Sequence, residues 1–452
     1  MQKISRQSYI CYTAAIGGLL FGFDTAVISG ALQPIKAQFG LNTIMEGWLV
    51  SSGLLGCILG VAFTGITADR IGRRKSIVIA AVMFLLSAIT CTAGFSVSML
   101  IAGRIIGGIG VGMASVLSPM YITEFAPAAK RGQMVSYYQL AITIGILLAY
   151  FSNALLDTPA AQHLFQTEVW RPMFLVMALP SLLFLLLLAR VPESPRWLMR
   201  IREKQQAATI LQQVMPAEEA AQAYRSIEEA AQRSAGLSRS LLSPGIRLPL
   251  IIGIVLAVFQ QFSGINAIIY YGPSIFEKAG IDSKNALLFQ VIIGAVNVLA
   301  TLIAVRWVDS YGRKRLMQIG LSGIVFTLIL CGALFYTGHT QGPWLLVLML
   351  LFIACFAFSL GPITWVIINE IFPTDVRARA VAVCTLMLWI AVALVGQFVP
   401  WLLSKAGAAA MFWLFAGCSL FNLLFSSAMV KETSGKTLEE MEDMYVAPSS
   451  LN

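Results

Sequence analysis

Read for hydrophobicity, the chain is a series of long apolar runs separated by short polar breaks. Twelve runs approach the ~20 residues an α-helix needs to cross a bilayer. They fall near 10–30, 46–67, 76–95, 100–122, 133–155, 172–190, 248–272, 286–307, 316–336, 344–368, 380–403 and 409–430. From about 198 to 245 the runs stop, Gln, Glu, Ala and Arg dominate, and Pro216 and Ser243–Pro244 punctuate the segment. That composition predicts short amphipathic helices lying on a membrane face. The expected fold is an all-α membrane protein of twelve transmembrane helices. Its expected parts are a six-helix bundle over 1–197, a helical linker over 198–245, a second six-helix bundle over 246–431 and a tail over 432–452.

Composition agrees with this pattern. Of 452 residues, 58% are hydrophobic and 12% charged, where roughly 25% charged is usual for a soluble chain. The first run follows Lys3 and Arg6 but lacks a small-residue cleavage site, so it reads as a retained helix and not a signal peptide. A net charge of +9 would suit nucleic acid, but its placement excludes that partner. Of 31 Lys and Arg residues, only Lys36, Arg171, Lys278, Lys284 and Lys405 fall in the odd-to-even connections, and Arg104 falls inside a run. The rest lie on the other side, which by the positive-inside rule puts both termini in the cytoplasm of a cell whose inner (plasma) membrane holds the protein. The seven cysteines lie within runs and form neither a disulfide framework nor a metal pattern. His163 and His339 fall in external connections, out of reach of a proton relay across the membrane.

The two halves repeat. ADRIGRRK (68–75) recurs as VDSYGRKR (308–315), with Asp69 matching Asp309 at an offset of 240. Glu124, Pro127 and Arg131 recur as Glu370, Pro373 and Arg377 at an offset of 246, and VPES (191–194) recurs loosely as VKET (430–433) at 239. Three matches in the same order imply two six-helix halves in parallel orientation.

Polar residues inside the runs are the candidate chemistry, because unpaired polar groups are expensive in hydrocarbon. Asp24 lies mid-run in GGLLFGFDTAVISGAL, and Arg104 is the basic residue inside the membrane and its natural counter-charge. A headgroup-reaching acid and a snorkelling arginine are the bland alternatives. The run GGIGVG (107–112) has no strand before it, so it predicts glycines on one face for close helix packing, not a nucleotide loop. The densest polar stretch is QQFSGINAIIYYGP (260–273), with Gln260, Gln261, Asn266, Tyr270 and Tyr271, and with Gly264 and Pro273 weakening the helix. Amides and phenols without formal charge suit an uncharged polyhydroxylated ligand, a sugar. Gln139, Asn297, Trp365 and Trp389 are further polar or aromatic positions within runs, and Gly361–Pro362 predicts a break beside Trp365. Overlaying GFDTAVI (22–28) on GINAIIY (264–270) sets Asp24 opposite Asn266, suggesting proton handling in the first half and sugar binding mainly in the second.

The stretch 260–273 closely resembles helix seven of the sugar porters of the major facilitator superfamily, the family of bacterial proton–sugar symporters and facilitative glucose transporters. The resemblance extends over nearly the whole chain, including PESPRWLM (192–199). It implies sugar contacts at Gln139, Gln260, Gln261, Asn266, Asn297 and Trp365, a sugar or lid contact at Tyr270 or Tyr271, and a cavity floor at Trp389. It implies a coupling pair of Asp24 and Arg104, and it supports what the repetition suggests, a cytoplasmic gate of Asp69, Arg73, Glu124, Arg131, Asp309, Arg313, Glu370 and Arg377 whose salt bridges would hold the halves together when the cavity faces outward and part when it faces inward. Three positions depart from the pattern: Leu388 where relatives often carry an amide, Met177 where one branch has a buried glutamate, and Lys431 where proline is usual. The expectation is a monomeric importer of a monosaccharide, hexose or pentose, that uses a proton as coupling ion and no cofactor or metal. A uniporter of the same fold is the nearest alternative, and a sugar sensor is disfavoured by the short stretch after the last run. No nucleophile–base pair or phosphate loop points to an enzyme.

Overall fold

The computed structural model describes residues 6–126, 131–233, 240–373 and 376–433, and among these there is no strand. Twelve helices are long and apolar enough to cross a membrane. They are α1 (Arg6–Phe39), α2 (Thr43–Ile71), α3 (Arg73–Thr92), α4 (Val97–Phe125), α5 (Met134–Leu156), α6 (Trp170–Leu188), α7 (Gly245–Lys278), α8 (Ser283–Arg306), α9 (Arg313–Thr337), α10 (Pro343–Glu370), α11 (Arg379–Lys405) and α12 (Gly407–Met429). Hydrocarbon offers the backbone no partner, so each run closes its own hydrogen bonds as a helix. Between α6 and α7 lie three shorter helices, Pro195–Arg200, Lys204–Val214 and Ala217–Arg233, as the polar composition of that interval predicts. His163 sits in another short helix, Pro159–Phe165, and His339 follows α9.

Within the first half α1 packs on α4 and α5, and α4 on α2 and α3; within the second, α9 packs on α10 and α12, and α7 on α11. The glycines of α4 serve two faces and not the single one expected. Gly108 and Gly112 meet the carbonyls of Gly53 and Cys57 on α2, while Gly103, Gly107 and Gly110 turn toward α3. Glycine lets these backbones approach closely, which is how helices associate where water supplies no driving force.

Two helices are broken where function would use free backbone. α7 breaks at Gly264, whose φ of 88° is left-handed and suits glycine, and a new segment, Ile265–Lys278, starts there. Pro273 lies inside that segment without ending it. α10 breaks at Ser359, two to three residues before the expected Gly361–Pro362. The reason is that proline fits the first turn of a helix, where its missing N–H has no partner to lose. Pro362 therefore sits in the first turn of the second segment, which starts at Leu360, and the discontinuity falls ahead of it.

A repeated cap closes the end of the bundle that carries the basic turns. Glu193 accepts hydrogen bonds from the backbone N–H of Arg73 (2.9 Å) and Arg74 (3.0 Å) at the start of α3. Glu432 accepts from Arg313 (2.8 Å) and Lys314 (3.1 Å) at the start of α9. Cations complete the motif: Arg74 donates to the carbonyls of Leu188 and Ala189, and Lys314 to that of Ser427. The loose match of VPES with VKET thus has a physical content, a carboxylate after each half's last helix that satisfies a helix N-terminus. Replacing Glu193 or Glu432 with Ala is expected to cost ~1–2 kcal/mol each, the range of a lost N-cap. The check is the melting temperature in detergent, which should fall by a similar amount for each substitution and further for the pair.

Candidate functional site

Asp24 and Arg104 meet inside the first half. Arg104 Nη1 lies 3.1 Å from Asp24 Oδ2 and donates at 3.0 Å to the Asp24 backbone carbonyl. Asp24 is 2% exposed and Arg104 3%, so neither reaches a headgroup or snorkels to a surface. Arg104 stands two turns inside α4, not at its start. Taking two charges from water costs several kcal/mol per ion unless they pair closely, which this geometry provides. Asp24 Oδ1 and Arg104 Nε have no partner.

The amides of α7 form a chain at its break. Asn266 Nδ2 donates to Gln261 Oε1 (2.6 Å), Gln261 Nε2 to Gln260 Oε1 (3.2 Å), and Gln260 Nε2 to the Leu360 carbonyl (2.7 Å) in the second segment of α10. All three side chains are buried, and the two helix breaks are tied together through them. Ser263 Oγ donates to the Gln260 carbonyl, satisfying one acceptor freed by the break. Asn297 on α8 is 7% exposed and makes no side-chain hydrogen bond among the described residues. Gln139 on α5 and Trp365 on α10 are half-buried. Trp389 on α11 is buried against Phe21 of α1, ring centroids 5.6 Å apart, so the aromatic contact joins the two halves. Phe21 was not singled out from the sequence, since one more aromatic in an apolar run carries no polar signal. Leu388, beside Trp389, is buried, and so is Met177 at a joint in α6.

Tyr271 donates its hydroxyl to the Gly396 carbonyl on α11, and Tyr270 stands edge-on to it at 6.4 Å. They belong to a tight closure of the end opposite the basic turns. Ser51 Oγ donates to Gln397 Oε1 (2.7 Å), Gln33 Nε2 to Ser274 Oγ (2.8 Å) and Tyr150 to the Ile269 carbonyl (3.2 Å), each joining the first half to the second. Gly47 lets α2 lie directly against the Gln397 carbonyl. Beyond this plug a cavity of about 370 Å³ opens to solvent, lined by Gln33, Lys36, Glu46, Ser274 and Glu277 among others. A Gly47→Leu variant should fail to close this end. Sugar uptake should then be lost, while labelled sugar still binds from that side.

At the basic end, ion pairs run within each half. Arg73 Nε lies 3.4 Å from Glu124 Oε1 and its Nη1 3.8 Å from Asp69 Oδ1, while Arg313 Nη2 lies 3.6 Å from Glu370 Oε1. Arg377 donates to the Phe372 carbonyl. The side chains of Arg131 and Asp309 lie outside the described residues. With the opposite end closed, Arg73 and Arg313 thus each stand beside a carboxylate of their own half. Asp69 also pairs with Arg200 of the linker, and its carbonyl accepts from Trp197 Nε1. No cluster able to hold a metal occurs among the described residues.

The Sugar (and other) transporter family profile matches residues 10–445. The chain belongs to that family. It is 42% identical over 438 residues to an arabinose-proton symporter of Bacillus subtilis, spanning 97% of this chain and 94% of the relative. It is 39% identical over 471 residues to a D-xylose-proton symporter of Escherichia coli K12, spanning 96% and 95%. A partially occluded, inward-open structure of the E. coli xylose transporter XylE superimposes with a TM-score of 0.85 at 37% identity, over 95% of this chain and 99% of that one. The twelve helices thus form the major facilitator fold, in a family of transporters and not enzymes.

Proposed function

We propose that this protein imports a monosaccharide together with a proton by alternating access, both termini lying in the cytoplasm. The observation that carries the reading is the buried Asp24–Arg104 pair in one half, set beside a site whose polar groups in the other half are all uncharged. An amide chain binds hydroxyls of any sugar that fits; it gives a proton no place to sit. Asp24 does. When Asp24 is protonated the ion pair loses its charge attraction, although Arg104 keeps its bond to the Asp24 carbonyl. The cost of rearranging the first half then falls. The sugar engages Gln261, Asn266 and Asn297, with Gln139 and Trp365 facing it from α5 and α10 and Trp389 with Phe21 beneath. Gln260, committed to Leu360, positions the α10 break in this state.

The closed end becomes the external side, and the inter-half hydrogen bonds and the Tyr271 plug support an inward-facing state for this structure. Opening outward would exchange them for bridges between the basic turns. Coupling requires that the loaded, protonated carrier and the empty one interconvert readily while half-loaded forms do not. Relatives named for arabinose and xylose make a pentose the first sugar to try. The test is competition of a labelled pentose against hexoses, pentoses and disaccharides in energised vesicles, with and without a protonophore. Accumulation abolished by protonophore and competed by one monosaccharide class is expected; accumulation indifferent to protonophore contradicts the proposal.

A further inference from the structure

We infer that Tyr150 is a positioning residue for alternating access: its hydroxyl caps a backbone carbonyl that Pro273 leaves without a donor, and it does so across the boundary between the halves. The role rests on the alternating-access reading and not on proton coupling. In an α-helix each carbonyl accepts from the N–H four residues on, and proline has no N–H. Pro273 lies inside the second segment of α7, so the Ile269 carbonyl has no donor at its usual position. Tyr150 of α5 donates to that oxygen at 3.2 Å.

The same arrangement occurs again at this end of the bundle. Pro400 lies inside α11, and four residues before it the Gly396 carbonyl accepts from the hydroxyl of Tyr271. Tyr150 and Tyr271 are both buried, at 1% and 0% exposure. A buried carbonyl without a partner is costly, and a phenol on a neighbouring helix supplies the donor that the proline cannot. The two pairs differ in what they join. Tyr271 and Gly396 belong to the same half, whereas Tyr150 and Ile269 do not. The preceding carbonyl of α7 sharpens the contrast. Ile268 accepts from Gln290 Nε2 of α8 at 3.0 Å, within the second half, and Gly272 leaves space for that amide. Two consecutive carbonyls are thus tied to opposite halves. When the halves part at this end, Gln290 can travel with α7, and Tyr150 must let go.

The Tyr150 ring is set against α8 at Gly294, where a side-chain carbon would stand 3.0 Å from it. With the outer end shut, Ile269 depends on this hydroxyl. With the outer end open, water reaches the cleft and can take the place of the phenol. The bond therefore favours the closed outer end over the open one, a differential contact of the kind that sets a two-state population.

The experiment is hydrogen–deuterium exchange on the full chain, read at 265–278 for the outer end and at 68–75 for the inner turns. Tyr150→Phe keeps the ring and removes the donor. Protection at the outer end should fall about tenfold, the size of one buried acceptor left unpaired, and exchange at the inner turns should not rise. Pro273→Ala restores the N–H, so adding Tyr150→Phe to it should change outer protection little. Should Tyr150→Phe alone fail to reach the membrane, its yield should be restored in the Pro273→Ala background, and no rescue would overturn the inference. Parental protection in Tyr150→Phe, a rise in exchange at both ends, or an equal loss of protection with alanine at 273 would each overturn it too. A parent whose two ends never respond in opposite senses to sugar would overturn alternating access itself, and the role of Tyr150 with it.

Discussion

Asp24→Asn is expected to bind sugar and exchange it across the membrane while losing uphill accumulation altogether. The amide has nearly the shape of the acid and can still face Arg104, so the first half keeps its packing. It cannot change charge. Both loaded and empty carriers would then cross with Arg104 unpaired by any carboxylate, and nothing would link sugar movement to the proton gradient. Leaving a buried guanidinium without its counter-charge also destabilises the protein, by ~3–5 kcal/mol in typical cases of a broken buried pair. Lower yield is therefore expected alongside retained exchange. Counterflow of labelled sugar into preloaded vesicles, compared with accumulation under an imposed pH gradient, separates the two activities. Full accumulation by the variant would remove Asp24 from the coupling scheme.

The second large effect is expected in the amide chain of α7. Asn266→Ala or Gln261→Ala should each weaken sugar binding by ~1–3 kcal/mol, because each removes a partner and leaves another buried amide unsatisfied. The two should not be additive, since Asn266 donates directly to Gln261 at 2.6 Å. Gln260→Ala should act differently. Its Nε2 holds Leu360 at the α10 break, so its loss should lower the transport rate as well as affinity. Titration of binding by isothermal calorimetry checks the first expectation; unchanged affinity in both Asn266→Ala and Gln261→Ala would move the sugar elsewhere.

Much of this architecture is legible in the sequence because hydrocarbon imposes simple rules. A span must be long and apolar, and each of the twelve runs became a helix. A charge inside a span must find a partner, and Asp24 and Arg104 do. What the residues conceal is set by packing between distant segments. Gly361–Pro362 marked the break in α10, yet the chain departs from helix at Ser359 because proline is comfortable in a first turn. The gate residues could be picked out by their repetition, but not whether Arg73 would pair across the halves or with Glu124 of its own. That choice belongs to the access state. Phe21 gave no signal until the fold set it against Trp389. Glu193 and Glu432 were marked by repetition alone, and only geometry shows that they close helix ends.

The central claim is that sugar and proton enter together, and the pH of a lightly buffered medium outside de-energised, right-side-out vesicles reports it most directly. Adding the transported sugar should alkalinise the medium with the parent protein, abolishably by protonophore, and should leave it unchanged with Asp24→Asn. Sugar entering the parent vesicles with no alkalinisation, or an undiminished signal from the Asp24 variant, would contradict the account.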